Sequence, residues 1–142
     1  MSQRFRRSAA CGLVVLAVPA AAFAAAPKKN AHFDQRTSKQ TFIDFDVSKD
    51  GKTIQNFSSY RECNPVPFKT QFKFKIKSGK FGGTTKATDV LNRPFTIVLK
   101  GKFTSATKAT GTVQISRAGC TGKVHPFAAK YDASVPAGQP AG

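Results

Sequence analysis

The sequence predicts an all-β domain: a two-sheet antiparallel β-sandwich of about seven to eight strands with one disulfide. Three observations point there. Stretches of alternating apolar and polar residues recur along most of the chain, punctuated by Gly, Pro, Asn and Asp. No stretch shows the 3.6-residue periodicity of a helix. The segment Pro94 to Arg117 (PFTIVLKGKFTSATKATGTVQISR) reads as two strands joined by a polar turn, with an apolar stripe on one face and lysines on the other. A cysteine follows it at Cys120, with a partner available at Cys63.

The first 26 residues stand apart. Arg4, Arg6 and Arg7 form a basic start, Cys11 to Ala26 is apolar and uncharged, and Ala22-Phe23-Ala24 and Ala24-Ala25-Ala26 both fit an A-x-A cleavage pattern. This is the pattern of a secretory signal peptide, removed after Ala24 or Ala26. The apolar run is shorter than the roughly 20 residues of a spanning helix and is interrupted by Pro19, so no transmembrane segment is expected after cleavage. The Arg6-Arg7 pair leaves a twin-arginine export route open. Residues 27–132 then form the β-sandwich domain, and the Pro- and Gly-containing tail 133–142 is predicted to be disordered.

Along the mature chain, Ala31 to Gln35 is a candidate edge strand. Thr41 to Val47 alternates, with Ile43, Phe45 and Val47 on one face and Asp44 and Asp46 on a face expected to be solvated. Lys49-Asp50-Gly51 turns the chain into Lys52 to Ser58. Two prolines in Cys63 to Pro67 exclude a central strand and suggest a crossover between sheets.

Lys69 to Lys77 (KTQFKFKIK) is the cleanest alternation, with Phe72, Phe74 and Ile76 inward and Lys73, Lys75 and Lys77 outward. Ser78-Gly79 turns it into Lys80 to Ala87, where Gly82-Gly83 signals a bulge or a close approach. After a loop from Thr88 to Arg93, Phe95 to Thr104 places Phe95, Ile97, Leu99 and Phe103 inward and Lys100 and Lys102 outward. Gly111 to Ser116 returns with Val113 and Ile115 inward. Lys123 to Tyr131 is the last strand, marked as an edge by Pro126. The repeated triplet Gly79-Lys80-Phe81 and Gly101-Lys102-Phe103 reads as glycines opening successive hairpins.

Cys11 leaves with the leader, so Cys63 and Cys120 remain in an oxidising compartment and are expected to bond. Closing that loop stabilises the fold by about 4 kcal/mol on the chain-entropy model. The alternatives, a reactive thiol or a metal site completed by His32 or His125, lack the close ligand spacing of zinc sites.

The order of the leader, a Lys-Asp-Gly hairpin, Cys63, the two Gly-Lys-Phe triplets, Ala109-Thr110-Gly111-Thr112 and Cys120 resembles a loose group of small exported bacterial all-β proteins of uncharacterised function. The resemblance spans roughly Asp34 to Tyr131 and implies a sandwich with paired cysteines. It implies no activity.

Motifs for catalysis or cofactor binding are absent: there is no nucleophile elbow, HExxH or P-loop. Asp44 and Asp46 share a strand face, as an acid/base pair must, and with Asp50 could hold calcium, but they lack a ligand-spaced loop. A pocket joining His125 to Asp132 or Glu62 would mark a small secreted enzyme. A rigid loop at Cys63 to Pro67 would mark a protease inhibitor.

Charge is the stronger signal. The mature chain carries +13, of which +12 lies between Cys63 and Tyr131, where Asp89 is the single acid. If their strands share a sheet, Lys73, Lys75, Lys77, Lys100 and Lys102 form a patch that attracts anionic polymers. Phe72 and Phe74 are expected opposite those lysines, which argues against base stacking and sequence-specific nucleic-acid binding. The lack of tryptophan argues against a sugar-binding platform. The expectation is a secreted or envelope-associated, non-enzymatic protein that needs no cofactor and meets an anionic envelope polymer or an acidic protein surface. The competing account is that lysines only guard sheet edges against aggregation.

Overall fold

A computed structural model describes residues 24–37, 40–59, 63, 72–89 and 91–138. The expected leader through residue 23, and all of the expected 63–67 crossover except Cys63, lie outside the described residues. Nine strands follow in order: β1 (Ala31–Thr37), β2 (Gln40–Val47), β3 (Thr53–Ser59), β4 (Phe74–Lys77), β5 (Lys80–Thr88), β6 (Pro94–Ser105), β7 (Lys108–Arg117), β8 (Cys120–Thr121) and β9 (His125–Asp132). Among the described residues there is no helix, and so none long and apolar enough to cross a membrane.

The all-β expectation holds, but the two-sheet sandwich does not. Each strand from β1 to β7 pairs antiparallel with the next, β7 pairs with β9, and β9 pairs with β1. The result is a closed eight-strand up-and-down barrel plus the short β8. Strand β8 continues the ladder on the edge of β7 that β9 occupies, one residue out of step. Arg117 pairs with Cys120, whereas Val113 pairs with His125. Alternation is identical in a sandwich strand and a barrel strand. What separates the two is whether the first and last strands meet, which no local pattern records.

Closure also changes the standing of two strands. The proposed edge strand at Ala31 is central, flanked by β2 and β9. The proposed edge at Pro126 is central too, because Pro126 pairs across to Thr112 of β7. Its missing N–H is tolerated because the β1 side of β9 is unladdered there. The nearby Ala128 N–H donates to the side-chain Oε1 of Gln35 instead.

Phenylalanines fill the barrel. Phe33, Phe45, Phe57 and Phe103 are fully buried with Ile97, Leu99 and Ile115, and Phe33 stacks on Phe45 with ring centroids 5.5 Å apart. Interior-facing side chains of an eight-strand barrel can just fill its lumen, and here they do. Gly101 explains part of that fit. It lies mid-strand, not at a hairpin start as its triplet suggested, directly across from Phe81 on one side and Gly111 on the other. A Cβ at Gly101 would lie 2.3 Å from the Phe81 ring, and one at Gly111 would lie 2.7 Å from the Phe127 ring. Two large rings thus fold over a bare glycine pair. Gly82 serves a different need: a Cβ there would fall 2.1 Å from the Leu99 carbonyl oxygen, so only glycine lets β5 approach β6 this closely.

The Cys63–Cys120 disulfide is formed, with Cα atoms 5.6 Å apart. It ties the β3–β4 connection to β8. At the N-terminus, the Ala25 N–H donates to the Phe103 carbonyl at 2.8 Å and the Lys28 ammonium sits 4.0 Å from the Tyr131 ring centroid. In the tail, described as far as Gly138, the Gly138 N–H donates to Asp46 at 2.8 Å.

Candidate anion-binding face

The lysines gather on the outer surface of β4, β5 and β6. Lys77 pairs across to Lys80, and Lys80 pairs across to Lys102, so three ammonium stems stand side by side on three successive strands. One row along, Lys100 lies opposite Gly82, which has no side chain to intervene. Lys75 is held outward on β4 opposite Thr53, and Lys73 precedes that strand. All five lysines singled out in the sequence are exposed, and the two strands that carry most of them belong to one sheet, with β5 between. Sequence reasoning missed Lys80. The signal was available, because a Ser78-Gly79 turn places residues 77 and 80 side by side.

No carboxylate pairs with Lys73, Lys75, Lys77, Lys80, Lys100 or Lys102 among the described residues. Asp89, the single acid in this basic half, is engaged elsewhere. It accepts from the Leu91 and Arg93 backbone N–H groups and forms an ion pair with the Arg93 guanidinium at 2.6 Å. The Arg93 hydrogen bonds hold its carboxyl below the usual aspartate range.

Beside the lysines the barrel wall opens. Past the Ile76–Phe81 pair, β4 and β5 share no further paired residues among those described. An open groove of about 720 Å³ lies there, with Phe72 to Lys75 on one bank and Gly82 to Thr85 on the other. Phe74 and Phe81 line its floor, while Lys73, Lys75, Lys77, Lys80 and Lys100 reach its rim. Phe72 is only half-buried and shares this groove with the lysines, so the strict division of phenylalanine from lysine fails at this one residue.

The acids lie on the other side of the barrel. Counting round the eight strands, β1 stands opposite β5. On the outer face of β1 and β2, His32 pairs across to Asp46 and Asp34 pairs across to Asp44. Asp44 and Asp46 are not the solvated hairpin face the alternation suggested. They are 8% and 1% exposed, and His32 is 2% exposed. His32 Nδ1 lies 2.8 Å from Asp46 Oδ1, and Asp46 Oδ2 accepts from Asn56 Nδ2 at 2.7 Å as well as from Gly138. Asn56 reaches it through a bulge in β3, with φ of 52°. Asp34 pairs with Arg36, which also approaches Asp132.

These contacts set the charges. Burial works against a charged His32, yet the hydrogen bond to Asp46 and the fields of Asp46, Asp44 and Asp34 outweigh it and raise its pKa. Burial likewise works against ionised Asp46, but bonds from His32, Asn56 and Gly138 hold its pKa below the usual value. The cluster is a covered ion pair with no open approach. His125 and Asp132 stand at opposite ends of β9, and Glu62 lies outside the described residues. Asp50 sits in the β2–β3 turn and accepts from Ser48 Oγ at 2.5 Å, apart from Asp44 and Asp46 on β2. Among the described residues, no group of three His, Cys, Asp or Glu could hold a metal ion.

The fold and face together define a small disulfide-linked up-and-down barrel whose β4–β6 surface carries lysines with no carboxylate partner among the described residues. No protein-family model matches the chain, and comparison with curated proteins and with solved structures finds no match.

Proposed function

We propose that this is a secreted, non-enzymatic barrel protein that engages anionic surfaces or polymers through the outer face of β4, β5 and β6. The observation that carries this reading is the row Lys77, Lys80, Lys102. Like charges directly across a sheet ladder destabilise it, and no carboxylate among the described residues pairs with these three. A cost kept by a fold that does not need it points to a use outside the fold. Lys75 and Lys100 stand one step along the strands from the row, on either side of Gly82, and Lys73 lies beyond Lys75, so a polyanion would meet several cations at once.

Closure narrows the main structural alternative. Lysines guard exposed sheet edges against pairing with other chains, but Lys77, Lys80 and Lys102 stand where β4, β5 and β6 are paired to one another, with no open edge to guard. The leader and the Cys63–Cys120 disulfide support export to an oxidising compartment. The partner on this reading is an acidic envelope polymer, an anionic membrane surface or an acidic protein.

Retention on immobilised heparin, compared with a variant carrying Lys73, Lys75, Lys77, Lys100 and Lys102 all changed to Gln, tests the reading. Wild type should bind at low salt and elute as salt rises, and the variant should elute much earlier. Equal retention of the two proteins would defeat the proposal.

A further inference from the structure

Resting on that reading, we infer that the groove between β4 and β5 seats one acyl chain of an anionic lipid, with the phosphate headgroup held by the lysine rim. A pure polyanion would need only the ammonium groups. The structure adds an apolar floor that electrostatics does not call for. Phe74 and Phe81 lie at its base, and the half-buried Phe72 stands at its mouth beside Lys73.

A bare backbone at Gly83 leaves the groove its width. Gly82 and Gly83 form the bank opposite Phe72 and Phe74, and a Cβ at Gly83 would project to 3.8 Å from the Phe74 ring. The separation of β4 from β5 beyond Ile76–Phe81 makes the opening lateral. A chain can therefore enter from the side of the barrel while the interior stays filled by Phe33, Phe45 and Phe103. Charge and apolar surface thus lie side by side in one groove. Lys73, Lys75, Lys77, Lys80 and Lys100 supply the charge, and no carboxylate among the described residues pairs with them to compete for a headgroup.

The test compares the mature protein with Phe72→Gln on four supports: phosphatidylglycerol vesicles, phosphatidylcholine vesicles, immobilised heparin and immobilised single-stranded DNA. Wild type should stay with phosphatidylglycerol vesicles at salt that elutes it from heparin, and should not bind phosphatidylcholine. Phe72→Gln should lose the salt-resistant part, about a tenfold drop in vesicle affinity for one buried aromatic, with heparin retention unchanged. An unchanged circular dichroism spectrum and thermal melt show that the variant is folded, and the unchanged retention shows that its lysine face is intact. Wild type leaving vesicles and heparin at the same salt would overturn the acyl-chain site, as would a Phe72→Gln variant indistinguishable from wild type. So would salt-resistant binding to single-stranded DNA in place of vesicles, which would make Phe72 a stacking platform. Failure of wild type to bind heparin at low salt would instead strike the lysine face itself.

Discussion

Phe81 sits directly across the β5–β6 ladder from Gly101, and its ring fills the space a side chain at position 101 would occupy. The two residues act as one packing unit. Gly101→Ala should push the ring off and cost about 1–3 kcal/mol through overpacking. Phe81→Ala should cost about 3–5 kcal/mol through the cavity it leaves. Combined, the two should cost clearly less than their sum, because the alanine methyl enters space the ring has vacated. Urea unfolding of the four proteins measures this, and strict additivity would contradict the packing described.

The His32–Asp46 pair predicts a pH profile. The folded-state pKa of His32 is raised above its ordinary 6.5. Its stabilising contribution is therefore fully present below that value and is lost as pH rises through the folded pKa. The pKa of Asp46 is lowered below 3.8, so its contribution is present above that value and is lost as pH falls through the folded pKa. Melting temperature should fall in wild type as pH rises above the ordinary histidine value and through the raised folded one. His32→Gln should flatten that limb, whereas Asp46→Ala should cost about 3 kcal/mol or more by stranding a buried partner. A wild-type melting temperature unchanged from about pH 5 to about pH 9 would refute the linkage.

Lys80 allows fold and function to be separated. It stands between Lys77 and Lys102. Lys80→Glu should replace two repulsions by two attractions and stabilise the barrel by about 0.5–1 kcal/mol, while weakening heparin retention. Thermal melts and salt elution of the same variant should move in opposite senses. A destabilised variant would show that the lysine row carries no cost to folding.

Replacing Cys63 and Cys120 by Ala should lower unfolding free energy by about 4 kcal/mol on the chain-entropy model. Non-reducing mass spectrometry of the mature wild-type protein should find neither thiol free.

Much of the strand set was legible, and for a definite reason. The alternation in Thr41 to Val47 and in Phe95 to Thr104 records burial of one face, and burial of one face is what a strand in any layered β fold shows. Barrel closure was not legible because it depends on His32, Phe33 and Asp34 meeting Asp132, Tyr131 and Lys130, about a hundred residues away. The lysine face was legible as residues and, apart from Lys80, as a set. Its groove was not, because it depends on where β4 and β5 part. Asp46 was misread because two aspartates alternating with Ile43 and Phe45 look like a wet face. They are covered in part by a chain segment arriving 92 residues later at Gly138. A histidine and an aspartate on neighbouring strands were the available hint, but using it required the register.

The eight-strand ring sets β1 half a circumference from β5, so the side that carries Asp34, Asp44 and Asp46 and the side that carries the lysine row face opposite ways. Near a negatively charged plane such a molecule experiences a torque as well as a pull, and it turns its β5 side inward before contact. It would arrive already aligned. The C-terminal segment, fastened over β2 by Gly138, would then face away from the plane. A label attached at Gly138 would be carried on that outward side, leaving the landing face clear.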